Sequence, residues 1–357
     1  MKEPDYKKYL YFAFKKAKHF VTMETSFVEH TEIIFFEQSL DKNIERLSKL
    51  LQNPDELSNE IEAMKGHLYF FPKSFGSKGE PRVRPKVVFP FEYQILWTAI
   101  ILVIGEWFDT NERVKNTFSI CNQNIRKQFD WMVPWSFNGR IKRLKSAETT
   151  ENALFESSYI HYNNNSLYEG HQMALKKFDT YRIQITKKML ANQTEIYRGD
   201  LDIQEFFPTL KIEKVKEALN NRFDELDKIK NFNNDYFNIL SVRKILDALF
   251  ELRIDYPDIN KLASDYKQLL LDYYRKINPH DKREFEIKHL VDFLNSTLPL
   301  DLIASNFLSN CALNYFVDKE IEKELIEEVF ILRYTDDYIV LATDEKKLIK
   351  LLDESIS

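Results

Sequence analysis

Residues Val329 to Leu341 read Val-Phe-Ile-Leu-Arg-Tyr-Thr-Asp-Asp-Tyr-Ile-Val-Leu, two β-rich runs hinged on Asp336 and Asp337. Asp tolerates tight turns, so turn chemistry alone would account for an acidic hinge. The flanks argue for more, because hydrophobic strands run right up to the pair on both sides. A second acidic strand lies upstream, at Glu195 to Ile203. There Ile196, Arg198, Asp200 and Asp202 share one parity, and Tyr197, Gly199, Leu201 and Ile203 share the other. That alternation predicts a strand with one charged and one apolar face. Two strands side by side, each ending in a carboxylate, make a hard oxygen site suited to Mg²⁺, with Mn²⁺ as a substitute. Two such ions a few Å apart are a recurrent device for in-line phosphoryl transfer.

Outward from these strands the chain is mostly helical. Residues 1–66 carry Tyr9, Leu10, Phe12, Phe14, Ile33 to Phe36, Leu47, Leu50 and Leu51 near a 3.6-residue period among Lys and Glu, as a helical packing layer would. From His67 to Phe89 short β-prone stretches are broken by Pro72, Gly76, Gly79, Pro81 and Pro85, which predicts a hairpin. Helices resume at Glu92, and the run Ile95 to Gly105, far short of the roughly 20 residues of a membrane span, reads as a buried helix. Trp131 to Tyr168 reads as irregular. Further helices are expected over about 172–190, over about 211–278 with Pro257 as an interruption, over about 302–325, and from about Glu345.

The 357 residues include 51 basic and 56 acidic side chains, seven glycines and two cysteines. With 44% hydrophobic and 30% charged residues the chain is globular and not disordered. So few glycines leave little from which to build phosphate loops, and neither GxGxxG nor GxxxxGK[ST] occurs. A net charge of −5 argues against coating duplex DNA by bulk electrostatics, so contact with nucleic acid must be local. Cys121 and Cys311 stand alone, the start MKEPDYKKYL lacks a secretory pattern, and no span long enough for a membrane occurs, which together place the chain in a cytoplasmic, reducing compartment.

Tyr334-Thr335-Asp336-Asp337 resembles the YxDD motif of reverse transcriptases, and Asp202-Ile203-Gln204-Glu205-Phe206-Phe207-Pro208 resembles the Asp-Ile-x-x-Phe-Phe-Pro motif of the same palm. Between them Leu298-Pro299-Leu300-Asp301-Leu302-Ile303-Ala304-Ser305 is similar to the turn and helix start under the incoming nucleotide, with Asn310, Leu313 and Asp318 following in family-like positions. RVRPKVVFPFEYQ, from Arg82 to Gln94, resembles the fingers pattern that places a basic residue on the triphosphate, in a register that leaves both Arg82 and Arg84 as candidates. Arg333 before the YxDD, and Asp301 where a glycine is usual, resemble the abortive-infection group of bacterial phage-defence enzymes, AbiA-like or AbiK-like.

That resemblance implies an α+β fold: fingers and a palm whose antiparallel sheet is backed by helices, with extra helices and no thumb in this chain. The expected divisions are an N-terminal helical region at 1–66, fingers at 67–190, and a palm at 191–357 with a helical insertion at about 211–285, continuing into a C-terminal helical region beyond it. It implies that Asp202 and Asp336 ligate both metals, that the Ile203 carbonyl completes one shell, and that Asp337 supports the site or else stabilises the turn. Phe207 falls where the family keeps a steric gate against a 2′-hydroxyl, with a core role for Phe206 or Phe207 as the alternative. Ser305 would contact the nucleotide environment or be a helix-surface serine bonded to nearby backbone. Arg82, Arg84 and Lys86 would clamp the β and γ phosphates, or guard an exposed strand edge. His171 and the other histidines carry no metal spacing. The implied activity is DNA synthesis from dNTPs that need not copy an RNA or DNA template. It would start from a protein hydroxyl, leaving single-stranded DNA covalently attached, in a homo-oligomer answering a phage component. A silent RNA-binding scaffold and a template-copying retron or group II-type enzyme are the alternatives.

Overall fold

The structure is a computed structural model that describes residues 3–23, 30–75, 81–108, 136, 138–142, 165–192, 195–203, 206–255, 264–284, 286–318 and 329–356. The expected turn glycines Gly76 and Gly79, the lone Cys121, and most of the irregular stretch 131–168 lie outside these residues.

Helices α1 (Tyr6–Met23), α2 (His30–Gln38), α3 (Leu40–Gln52) and α4 (Pro54–Ala63) open the chain. Strands β1 (Lys65–Phe75) and β2 (Pro81–Val88) follow, then α5 (Phe91–Phe108) and α6 (His171–Asn192). Next come β3 (Tyr197–Asp202), α7 (Phe206–Thr209), α8 (Ile212–Asp227), α9 (Phe232–Asp235) and α10 (Ile239–Leu249). Strand β4 (Arg253–Asp255) precedes α11 (Ser264–Ile277), α12 (Ile287–Asn295) and α13 (Ser305–Leu313), which runs into a π-helical turn, Asn314–Asp318. The hairpin β5 (Val329–Tyr334) and β6 (Asp337–Ala342) and then α14 (Glu345–Ile356) end the described chain. This is a helix-dominated α+β architecture with two small sheets. Among the described residues no helix is long and apolar enough to cross a membrane.

The chain forms two compact units, residues 1–103 with 205–305 and residues 104–204 with 306–357. Each is visited twice, so the divisions read along the sequence at 66 and 190 are stretches of chain order and not these units.

In the first unit the apolar stripe of α3 (Ile44, Leu47, Leu50, Leu51) is buried, as its period demands. Phe14, Phe36 and Phe91 form an aromatic triad with ring centroids 5.6 to 6.0 Å apart. The sheet has the order β2-β1-β4, with β1 and β2 antiparallel and β4 parallel to β1. The expected hairpin is present, and β4 adds a strand, at Arg253–Asp255, inside the stretch read as helical at about 211–278. Three residues carry too little pattern to announce a strand. Pairing supplies it: Lys65 to His67 take up Arg253 to Asp255, and the Ile254 N–H donates to Asn295 Oδ1 at 2.8 Å. Gly66 sits in the middle strand, where an added Cβ would lie 2.8 Å from Val87 Cγ1 and 3.3 Å from the Phe89 ring. Val87 is β-branched and buried, so it yields poorly. Gly66→Ala is expected to cost about 1–3 kcal/mol by denaturant melt; an unchanged midpoint would mean that Val87 moves aside freely.

In the second unit the sheet order is β3-β6-β5, antiparallel throughout. From Phe330 to Tyr334, and from Tyr338 to Ala342, every side chain is buried, so both faces of this sheet are covered. Ala174, Phe178, Ile185 and Met189 of α6 and Leu348 of α14 share one core with the two strands. The observed β3 keeps the expected alternation, with Arg198, Asp200 and Asp202 exposed and Gly199 buried.

Candidate active site

Strand register brings the acidic residues together. Asp202, the last residue of β3, pairs across the sheet with Asp337, the first of β6. Directly opposed residues of an antiparallel pair hold their Cβ atoms about 5 Å apart, and like charges so placed are destabilising. Asp336 stands one residue back, in the two-residue turn between β5 and β6. The ladder continues one step beyond the strands, because the Ile203 N–H donates to the Asp336 carbonyl at 3.3 Å. Asp202 and Asp337 are exposed and Asp336 is half-buried. Among the described residues no Lys, Arg or His forms an ion pair with any of the three. Burial, and then the charges of Asp337 and Asp202, push the Asp336 carboxyl above its ordinary range, against its own backbone N–H and Arg333. Burial and Asp202 push Asp337 up in the same way. The three carboxylates do not form a closed cage: among the described residues no group of three or more His, Cys, Asp or Glu converges to hold a metal ion. Asp200, on the same face of β3, pairs with Arg198 at 2.6 Å.

The turn itself is strained. Thr335 has φ of +59°, and Asp336 does not share the positive φ, the pattern of a type II′ turn, which normally puts glycine first. A β-branched residue there stores about 1–3 kcal/mol and persists only if its surroundings hold it. They do. Arg333 Nη1 donates to the Thr335 carbonyl at 2.9 Å, and Asn138 Nδ2 donates to Thr335 Oγ1 at 2.8 Å. The Arg333 guanidinium is bidentate to Asp318, through Nε at 3.2 Å and Nη2 at 2.8 Å, and also donates to Asn310 Oδ1 at 2.9 Å. Both members of that ion pair are fully buried, at 0% side-chain exposure. Burial works hardest against the Arg333 charge, but Asp318, Tyr338 and Asp336 together outweigh it, and the guanidinium is held above its ordinary value. On the other side Tyr334 Oη shares a 2.7 Å hydrogen bond with His171 Nδ1. Burial, with the charge of Asp337 adding, raises the Tyr334 phenol to about 12. Sequence spacing had given His171 and Asn138 no role; their partners lie 163 and 197 residues away in the chain, beyond any local pattern.

The other sequence candidates belong to the first unit. Arg82 pairs with Ser74 through the backbone of β2, and its side chain lies outside the described residues. Arg84 is half-buried opposite Phe71. Lys86 is not an open cation: its Nζ lies 3.3 Å from Asp301 Oδ1, with side chains only 13% and 10% exposed. Burial raises the Asp301 carboxyl, and Lys86 and Arg84 draw it back. Asp301 therefore supplies an internal anion to the strand expected to clamp phosphate. Gln94 pins the same turn, donating to the Asp301 carbonyl at 3.0 Å and accepting from the Ile303 N–H at 2.9 Å. Ser305 makes the backbone bond expected of it, its hydroxyl donating to the Pro299 carbonyl, but at 1% exposure it closes the turn from inside and does not lie on a helix surface. Phe206 takes the core position, while Phe207 is half-buried against it with ring centroids 5.2 Å apart.

No family model matches the chain, and no curated protein matches it. Among solved structures, an apo telomerase from Candida tropicalis truncated from its C-terminal domain is similar over 82% of this chain at 13% identity, with a TM-score of 0.41. The chain spans 46% of that protein's length, and a likeness this distant does not assign the fold.

Proposed function

We propose that the chain carries the palm of a reverse-transcriptase-like nucleotidyltransferase, in which Asp202, Asp336 and Asp337 are the catalytic carboxylates. The observation that carries this reading is the register: two carboxylates directly opposed across neighbouring strands, with a third in the adjoining turn. A sheet gains nothing from such an arrangement and loses stability by it. The usual reason to keep like charges together is a cation that joins them, and hard oxygen donors with raised proton affinity fit Mg²⁺. Mg²⁺ bound there would supply the Lewis-acid chemistry of in-line phosphoryl transfer. Asp202 and Asp336 are the residues to hold it, with Asp337 and the Ile203 carbonyl beside them. The backbone of Ile203, tied to Asp336, fixes the spacing of the two strand ends.

The finer reading, an antiphage polymerase that is untemplated and protein-primed and consumes dNTPs, draws on the YTDD, DIQEFFP and LPLDLIAS motifs and on Arg333 and Asp301. Arg82, Arg84 and Phe207 enter it through that sequence resemblance alone. A second reading, a polymerase-fold scaffold without activity, is favoured by one observation: the Lys86–Asp301 ion pair already neutralises a cation expected to meet phosphate. The purified protein, incubated with Mg²⁺ and labelled dNTPs with and without primer and template, separates them. Growing label that shifts with protease and is lost in Asp336→Asn is expected for the untemplated enzyme. Label only with primer and template means a copying enzyme, and no Asp336-dependent label under either condition sinks the catalytic reading.

A further inference from the structure

We propose that Arg333 and Asn138 are positioning residues that clamp the strained Thr335 turn from two sides and thereby set where the Asp336 and Asp337 carboxylates point. The proposal rests on the catalytic reading of those carboxylates and adds to it the buried machinery that aims them.

Four observations converge. The turn cannot hold itself, because Thr335 sits at a φ that its β-branched side chain disfavours. Its two polar handles, carbonyl and hydroxyl, are each taken by a separate donor, Arg333 Nη1 and Asn138 Nδ2. The first donor is immobilised: a fully buried guanidinium, bidentate on Asp318, with Asn310 Oδ1 on the same Nη1. The second donor is built in with equal care. The Asn138 carbonyl accepts from Asn310 Nδ2 and from Ser136 Oγ, each at 2.9 Å, and Ser136 bridges to Arg333 alongside β5. The next residue, Gly139, has φ of +68°, and a Cβ there would lie 2.9 Å from both Asn306 Cβ and Asn310 Nδ2, so the strap sits close on α13. Asn310 thus touches both arms, one through its oxygen and one through its nitrogen. Asp318 reaches Arg333 from the last residue of the π-helical turn, a local rewinding often found at functional sites. A turn that merely joined two strands would need none of this, since a glycine at 335 would serve.

The test uses Asn138→Ala, which removes one donor from a half-buried position and leaves the Arg333–Asp318 pair intact. Two quantities are read on the full chain: deuterium exchange of the 334–338 segment, and Mn²⁺ affinity by electron paramagnetic resonance beside an Asp336→Asn control. Removing a group that orients a metal ligand typically weakens binding 10- to 100-fold. The expected result is exchange about tenfold faster in that segment and Mn²⁺ bound about tenfold more weakly, with little change in Tm. Arg333→Lys, if it folds, should do the same more strongly; if it does not fold, Asn138→Ala decides alone. Unchanged exchange overturns the clamp. Faster exchange with unchanged Mn²⁺ affinity, while Asp336→Asn loses Mn²⁺, overturns the positioning role and leaves the metal reading standing. Mn²⁺ affinity indifferent to Asp336→Asn removes the metal reading and the positioning role with it.

Discussion

Replacing Arg333 by methionine should lower the stability of the protein by about 3–5 kcal/mol, a fall in Tm on the order of 10 °C. Methionine fills much of the same volume, so the loss comes from what the guanidinium leaves behind. Asp318 is fully buried, and with Arg333 gone its remaining donors are Tyr338 Oη at 3.2 Å and a long contact from Asn314 Nδ2 at 3.5 Å. Neither carries charge, and an uncompensated buried carboxylate is among the costliest changes a single substitution can make. Asn310 Oδ1 and the Thr335 carbonyl lose a donor at the same time. Adding Asp318→Asn should recover about half of the loss, since the buried charge disappears and an amide oxygen still accepts from Tyr338. The amide nitrogen then has an acceptor in Asn314 Oδ1, buried without a donor, once the Asn314 amide, whose Nδ2 now faces Asp318, turns over. The double variant would still lack the bond to Thr335, so regained stability without regained turn order would separate the structural share of Arg333 from its positioning share. A loss below about 1 kcal/mol for Arg333→Met would mean that water reaches Asp318 or that Asp318 takes up a proton, which burial favours once Arg333 is gone.

The carboxylate end of the second sheet was legible because its signals are local. Hydrophobic strands abut Asp336 and Asp337 on both sides, and the parity of 195–203 fixes which residues share the face of Asp202; the structure pairs those strands in that sense. Register adds what spacing alone does not give, that Asp337 and not Asp336 stands directly across from Asp202. The network behind the turn was not legible, since Arg333 meets partners 15 and 23 residues away and the Thr335 hydroxyl meets one 197 residues away. An arginine in an otherwise apolar strand was visible, but its counter-ion depends on the π-helical turn that swings Asp318 toward it. Strand β4 escaped for the opposite reason: three residues set by a parallel neighbour hold no period of their own. The direction of Ser305 was not legible, because a hydroxyl in a turn can face inward or outward with the same sequence around it, and here Pro299 supplies the inward acceptor.

On the catalytic reading proposed above, Asp336→Asn should lower nucleotidyl transfer by about 10³-fold or more, and should at the same time make the metal-free protein more stable at neutral pH. The first part follows from the ligand charge: Lewis-acid stabilisation is worth several kcal/mol, and each 1.4 kcal/mol or so is tenfold in rate. The second follows from burial and register together. Burial disfavours the Asp336 charge and Asp337 and Asp202 repel it, and the amide removes both costs while its oxygen still accepts from the residue's own backbone N–H. A rise in Tm of roughly 1–3 °C in chelator is the expected size. The pH dependence has a defined sign. Asp336 and Asp337 bind protons more tightly folded than unfolded, so their contribution to stability is fully present below the ordinary carboxylate range, about pH 4, and is lost as pH rises through their raised folded values. The advantage of Asp336→Asn should therefore be largest at pH 7 and shrink on acidification, as the wild-type carboxyls protonate and their repulsion fades. Activity should move the other way and fall on the acid side, because a protonated carboxyl is a poor ligand. A site kept for function shows this opposition between stability and activity. An Asp336→Asn protein no more stable than wild type in chelator, or one whose advantage grows on acidification, would mean that the three carboxylates do not repel one another, and the case for a cation between them would fall.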